Sequence, residues 1–123
     1  MDNLFSENKD KAFYTFDIGV LKDRIAYLKE HLPENVTLCY AVKANPFIVK
    51  AMDDVIEKFE ICSPGENAIC SSYGVESRKK VISGIYKSDS DIKDTLSKKS
   101  FKGIITVESL SQYESICDCA SDS

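Results

Sequence analysis

The sequence predicts an α/β protein, the first half of a (β/α)8 TIM-type barrel, with four parallel strand-helix units behind a short N-terminal extended segment. Three observations lead there. Short apolar runs alternate with helical apolar periods four times, the order that a parallel sheet with helical crossovers requires. The first three strands start at residues 36, 59 and 80, about 22 residues apart, which is close to one barrel module. No strand is followed by G-x-G-x-x-G or G-x-x-x-x-G-K-[ST], which argues against an open doubly wound domain that binds a nucleotide.

Residues 1–16 are expected as the extended segment and 17–123 as the partial barrel. After "AFYTFDI", Ile18, Leu21, Ile25, Leu28 and Leu32 recur at three- and four-residue steps on one helix face, and Pro33 ends that helix. "VTLCYAVK" (36–43) reads as a strand apolar on both faces. Asn45 then offers an N-cap and Pro46 the first helical position, with Phe47, Ile48, Ala51, Met52, Val55 and Ile56 as the buried face. "FEICS" (59–63) leads into a capping box of Ser63 and Glu66 with Pro64 at the first helical position, and that helix stops near Gly74. "KVISG" (80–84) precedes Ser88 and Asp91 at capping spacing and a helix with Ile92 and Leu96. "GIITV" (103–107) precedes Ser109 and Gln112, with Leu110, Tyr113 and Ile116 behind them.

A full barrel takes about 250 residues, and the chain has 123. The tail "SICDCASDS" loses its apolar period inside the last helix, so an N-terminal piece of a longer protein or a broken gene product is expected. Half a barrel leaves its outer strands as unpaired edges, which favours oligomerisation, partial unfolding or aggregation.

Composition narrows the function classes. Apolar residues make up 43% and charged residues 29%, the balance of a chain that can bury a core. Lys and Arg number 16 against 20 Asp and Glu, a formal charge of -4, with the basic residues scattered, which argues against a nucleic-acid partner. No apolar stretch approaches the roughly 20 residues that span a bilayer, and "MDNLFSENKDK" lacks the order of a signal peptide. A cytoplasmic protein with no membrane partner is therefore expected. The five cysteines (Cys39, Cys62, Cys70, Cys117, Cys119) lack metal-ligand spacing and His31 is the single histidine, so reduced thiols and no metal are expected.

Chemistry concentrates at Lys43. Strand alternation sends Thr37, Cys39, Ala41 and Lys43 to one face and Leu38, Tyr40 and Val42 to the other. The second set suits packing under helices. The first then lines a barrel interior and places Lys43 at the carboxyl end of its strand, where barrel enzymes keep catalytic groups. A partly desolvated lysine there is a usable nucleophile for carbonyl compounds, pyridoxal phosphate included. The competing reading is a solvated lysine in a strand-to-helix loop.

"YAVKANP" (40–46) resembles the signature of the fold-type III pyridoxal-phosphate decarboxylases, the group that includes diaminopimelate and ornithine decarboxylases. The likeness continues in order through "FYTFDIGVLKDRIAYLKEHLP", "FEICSPGE", "VISGIYKSDSDI" and "ITVESLSQYESI", covering nearly all of residues 13 to 116. It implies the N-terminal barrel portion of a decarboxylase of basic or diamino acids, closer to the diaminopimelate type, with the cofactor held as an imine on Lys43. Glu60 stands where the family commonly has Asp and is implied as a cofactor-site carboxylate beside the lysine. Ser83 replaces a frequent histidine, Ile85 and Tyr86 replace a Pro-Gly pair, and Lys87 reads as a solvated loop residue. The resemblance also implies an amino-acid substrate, a homodimer in the full-length family, and further site residues beyond Ser123, so the isolated chain is expected to be inactive. Two alternatives are an alanine racemase relative, which "NPFIVKAM" disfavours by running straight into a helix, and a catalytically silent half-barrel module for binding or assembly.

Overall fold

A computed structural model of the chain describes residues 12–97 and 101–121. The expected extended segment lies outside the described residues up to position 11, and residues 12–17 carry no regular element. Helix α1 (Ile18–His31) opens on Asp17, whose carboxylate accepts from the amides of Gly19 and Val20, and Leu32 closes it just before Pro33. Then follow β1 (Cys39–Ala41), α2 (Val49–Asp53), β2 (Lys58–Ile61), α3 (Pro64–Ser72), β3 (Lys80–Ile82), α4 (Asp89–Leu96), β4 (Ile104–Ile105) and α5 (Leu110–Ser121).

The four strands are all parallel and lie in the order β1-β2-β3-β4. Each right-handed crossover moves one strand further in the same direction, so every helix falls on the same side of the sheet. A doubly wound sheet would have to reverse direction once to cover both faces. This is the arrangement of the first half of a (β/α)8 barrel.

The register sorts the side chains. Tyr40 pairs with Phe59, and Ile61 with Ile82 and through it Ile105, on the helix side. There Phe59, Ile61 and Val42, all fully buried, pack with Ile25 of α1, Val49 and Met52 of α2, and Cys70 of α3. Lys80 also points to this side, and its ammonium is satisfied by Asn67 Oδ1 at 2.9 Å and Ser71 Oγ at 2.8 Å. The other face carries Cys39, Ala41, Glu60, Val81 and Ile104, with Cys39 and Ile104 exposed.

The helix termini follow the capping chemistry. Ser88 and Asp91 form a reciprocal capping box on α4. Ser63 Oγ accepts from the Glu66 amide at 3.3 Å, but the Glu66 carboxylate accepts instead from the Cys62 amide at 2.8 Å, tying α3 to the end of β2. Helix α3 stops at Gly74 (φ 78°), where the Gly74 amide bonds Ser71 O and the Val75 amide bonds Cys70 O.

Several expectations are corrected. Strand β1 covers three residues rather than 36–43, because Val42–Ala44 wind into a 3-10 turn. Pro46–Ile48 form a second such turn before α2, and the change to three residues per turn swings Phe47 out of the expected buried face, leaving it 88% exposed. On α5, Leu110 and Tyr113 are exposed, because the inward face is set by Gln112, whose side chain accepts from the Glu108 amide at 3.1 Å and donates to Ile85 O at 3.3 Å. Lys87 is not solvated. Its side chain is 3% exposed, paired with Glu108 at 3.7 Å and donating to Gly84 O.

Candidate functional site

The site forms at the carboxyl ends of the strands, on the face without helices. Val42, fully buried, anchors the turn after β1 in the core and so directs its neighbour Lys43 away from the helices. A second anchor holds the turn from its far end. Tyr40 donates its hydroxyl to Asn45 O at 2.9 Å while its ring stands edge-on to Phe59, 6.2 Å between centroids. Asn45 in turn caps the following turn by accepting from the Phe47 amide at 3.1 Å. Burial pushes the Tyr40 phenol above its usual range, which keeps it a donor.

So held, the Lys43 ammonium lies 3.7 Å from Glu60 Oε2 and 3.8 Å from Cys62 Sγ. The register explains the first contact, since Glu60 pairs with Ala41 and faces the same way. The Lys43 side chain is 61% exposed and that of Glu60 36%, so the partial desolvation expected of the lysine is not found. The face expected to be a barrel interior is open in the described residues, and the pair is hydrated. The two oxygens of Glu60 have separate partners, because Ser83 donates to Oε1 at 3.1 Å. Ser83 is buried, and its Oγ is also 3.4 Å from Cys62 Sγ. Lys43, Glu60, Cys62 and Ser83 thus come together from three consecutive strand ends. Below them, desolvation pushes the Cys39 thiol up and the Glu60 carboxylate adds to this, while Lys58 opposes it.

A second network joins the ends of β3 and β4. Glu108 Oε1 accepts from the Gly84 amide at 2.6 Å and from Thr106 Oγ1 at 2.9 Å, with the Lys87 ammonium at 3.7 Å. The Thr106 hydroxyl first, then the Gly84 amide, hold the Glu108 carboxyl below the usual carboxylate range. Gly84 has φ 85°, and a Cβ there would stand 3.2 Å from Cys62 O, so no larger residue fits without strain.

Among the residues singled out in the sequence, Lys43 and Glu60 are brought together, while Lys87 belongs to the second network. The sequence marks Ser83 only as the replacement of a frequent histidine and Cys62 only as one of five thiols. Alternation from Glu60 puts residue 62 on the open face, but Ser83 reaches Glu60 only through the pairing of β2 with β3. Among the described residues no three His, Cys, Asp or Glu side chains could hold a metal ion. No helix among them is long and apolar enough to cross a membrane. A cleft of about 220 Å³ opens between α3 and α4 on the helix side, floored by Ile82, Ile92 and Ile105, and neither Lys43 nor Glu60 lines it.

Residues 18–123 match the family model described as pyridoxal-dependent decarboxylase, pyridoxal binding domain. The diaminopimelate decarboxylase of Aquifex aeolicus is 27% identical over 85 residues, covering 68% of this chain and 20% of that protein. Among solved structures, the lysine/ornithine decarboxylase of Vibrio vulnificus in complex with putrescine superposes with a TM-score of 0.76 at 26% identity, over 98% of this chain and 33% of that one. The diaminopimelate decarboxylase of Helicobacter pylori in complex with L-lysine gives 0.77 at 25% identity, over 98% of this chain and 31% of that one. The chain therefore spans between a fifth and a third of the length of these relatives.

Proposed function

The chain belongs to the pyridoxal-dependent decarboxylases through their pyridoxal-binding domain, and on that premise we propose that Lys43 holds pyridoxal phosphate in a decarboxylase of basic or diamino acids. The observation that carries this reading is the Lys43 ammonium on the open face at a strand's carboxyl end, 3.7 Å from Glu60 Oε2. The residues fit the group. An amine that is 61% exposed on a helix-free face is within reach of an aldehyde, and an adjacent carboxylate can take the proton that nitrogen must lose to become a nucleophile.

When bound, pyridoxal phosphate supplies an electron sink for the bond to the substrate carboxylate. The chain's own residues hold and orient. Lys43 would hold the group at the end of β1, through the amine that it presents on the open face. Glu60 Oε2, 3.7 Å from Nζ, would take the proton that this amine gives up, and Ser83, donating to Oε1, keeps that carboxylate turned toward the lysine. Tyr40 and Val42 set where Nζ stands. Capture of the cofactor, rather than turnover, is the activity assigned to these residues.

The substrate class rests on relatives. Two similar structures are complexes with putrescine and with L-lysine, and both molecules carry two amines. The expectation of a homodimer joins the proposal on the same ground, since a partner subunit would supply groups that recognise the second amine. A cytoplasmic location is proposed with it.

The test is reductive trapping. The protein is incubated with pyridoxal phosphate, reduced with borohydride, digested and mapped, with Lys43→Arg as the control. Label concentrated on the peptide carrying Lys43 is expected. Label spread evenly over surface lysines would overturn the reading and favour a silent binding or assembly module.

A further inference from the structure

We propose that Lys43 and Cys62 form a peroxide-sensitive pair, in which oxidation of the Cys62 thiol is followed by closure of the Lys43 amine onto the sulfur, a reversible S–N cross-link. The pair is specific to the geometry of this chain. Nζ stands 3.8 Å from Sγ, and a rotamer change in an exposed lysine side chain covers the remaining distance. The sulfur is held still, because the Cys62 amide is bonded to Glu66 Oε2 at 2.8 Å and its Sγ lies 3.4 Å from Ser83 Oγ. Lys43 is 61% exposed and Cys62 partly exposed, so a molecule as small as hydrogen peroxide reaches both. The two neighbouring thiols lack this arrangement. Cys70 is fully buried, and Cys39 pairs across the sheet with Lys58, whose ammonium is turned to Arg78 O at 2.6 Å.

The chemistry balances in two steps. The Cys62 sulfur attacks one oxygen of hydrogen peroxide; an S–O bond forms, the O–O bond breaks and one water leaves, with sulfur oxidised by two electrons and peroxide reduced. The Lys43 amine, having released its extra proton to water, attacks that sulfur. The N–S bond forms, the S–O bond breaks, and a second water departs carrying a proton from nitrogen. Thiol, amine and hydrogen peroxide thus become a sulfenamide and two waters. A reducing thiol reverses it by attacking sulfur, which returns the amine and leaves a disulfide for a second thiol to open.

The cross-link would remove the amine assigned above to the cofactor, and that consequence rests on the reading of Lys43; the cross-link itself does not. The experiment treats the protein with hydrogen peroxide, quenches it, and measures intact mass and peptides. A product about 2 Da lighter than the reduced protein is expected, mapping to the Lys43 peptide joined to the Cys62 peptide. It should revert with dithiothreitol, be missing in Cys62→Ser and Lys43→Arg, and be prevented by prior trapping of pyridoxal phosphate on Lys43. Oxygen added to Cys62 with Lys43 left free, or a disulfide between Cys62 and Cys39, would overturn it. An independent reading needs no variant: o-phthalaldehyde joins a neighbouring amine and thiol into a fluorescent isoindole, and its absence from the Lys43 and Cys62 peptides would also overturn the pair. Cross-linking without any cofactor capture would sink the cofactor reading alone, and capture without cross-linking would sink this inference alone.

Discussion

Tyr40→Phe isolates the device that positions Lys43. The substitution keeps the ring, so the edge-on contact with Phe59 survives, and it deletes only the hydroxyl that donates to Asn45 O at 2.9 Å. A hydrogen bond of this kind contributes about 1 kcal/mol net, and the cost rises when a buried partner is left unsatisfied. Here the Asn45 carbonyl keeps a second, longer donor, the Ile48 amide at 3.4 Å. The loss should therefore stay near 1 kcal/mol rather than climb above it. With a urea slope of about 1–2 kcal/mol per molar for a small domain, the midpoint of unfolding should fall by roughly 0.5–1 M at an unchanged slope. Urea titration followed by far-ultraviolet circular dichroism reads this directly. In parallel, trapping of pyridoxal phosphate should become less selective for Lys43, since the turn at 42–45 has lost its tether. An unchanged midpoint together with unchanged selectivity would show that the Tyr40 hydroxyl does not tether the turn, because it would then be spending its bond on water in the native protein.

Phe59→Ala removes a fully buried ring at the centre of the core and should cost about 3–5 kcal/mol, enough to unfold much of the protein in the same titration. Glu60→Gln should change stability by less than about 1 kcal/mol, because the partly exposed ion pair is screened by water. It should also slow capture of pyridoxal phosphate at Lys43 by roughly tenfold, less than the usual contribution of a placed proton acceptor because the contact is hydrated. Stopped-flow absorbance would follow that rate. The lowered Glu108 carboxyl carries a pH signature: its contribution to stability is present above the ordinary carboxylate range and is lost as pH falls through the depressed value. Glu108→Gln should therefore be less stable than wild type at neutral pH, with the gap closing in acid, as urea midpoints measured across pH would show.

Much of the fold is legible because it is written in local chemistry. Asn45, Ser63, Ser88 and Ser109 each accept from a backbone amide at the start of a helix or turn, as their spacing suggests. Pro46 and Pro64 sit at first helical positions, and Gly74 ends α3 in the left-handed conformation. The strand alternation that sends Leu38, Tyr40 and Val42 under the helices also holds. What escapes is set by contacts distant in sequence. Periodicity assigns Phe47 to a buried face because it assumes an α-helical turn where the chain makes a 3-10 one. Lys87 looks solvated because its partner Glu108 lies on another strand end, and a charged loop residue gives no local sign of a partner so distant in sequence. Lys43 and Glu60 are legible as neighbours, one strand apart with matched orientation, and alternation carries Cys62 to the same face, while Ser83 becomes a site member only once β2 and β3 are in register.

In the proposal made above, the nitrogen of Lys43 is the one that pyridoxal phosphate joins, on the sheet face away from the helices. A crystal structure of the protein grown with pyridoxal phosphate tests this most directly. Density continuous from Lys43 Nζ into the cofactor is expected, with a Glu60 oxygen within hydrogen-bond reach of that nitrogen. Cofactor density joined to another lysine, or lodged in the cleft between α3 and α4 with Lys43 unmodified, would contradict it.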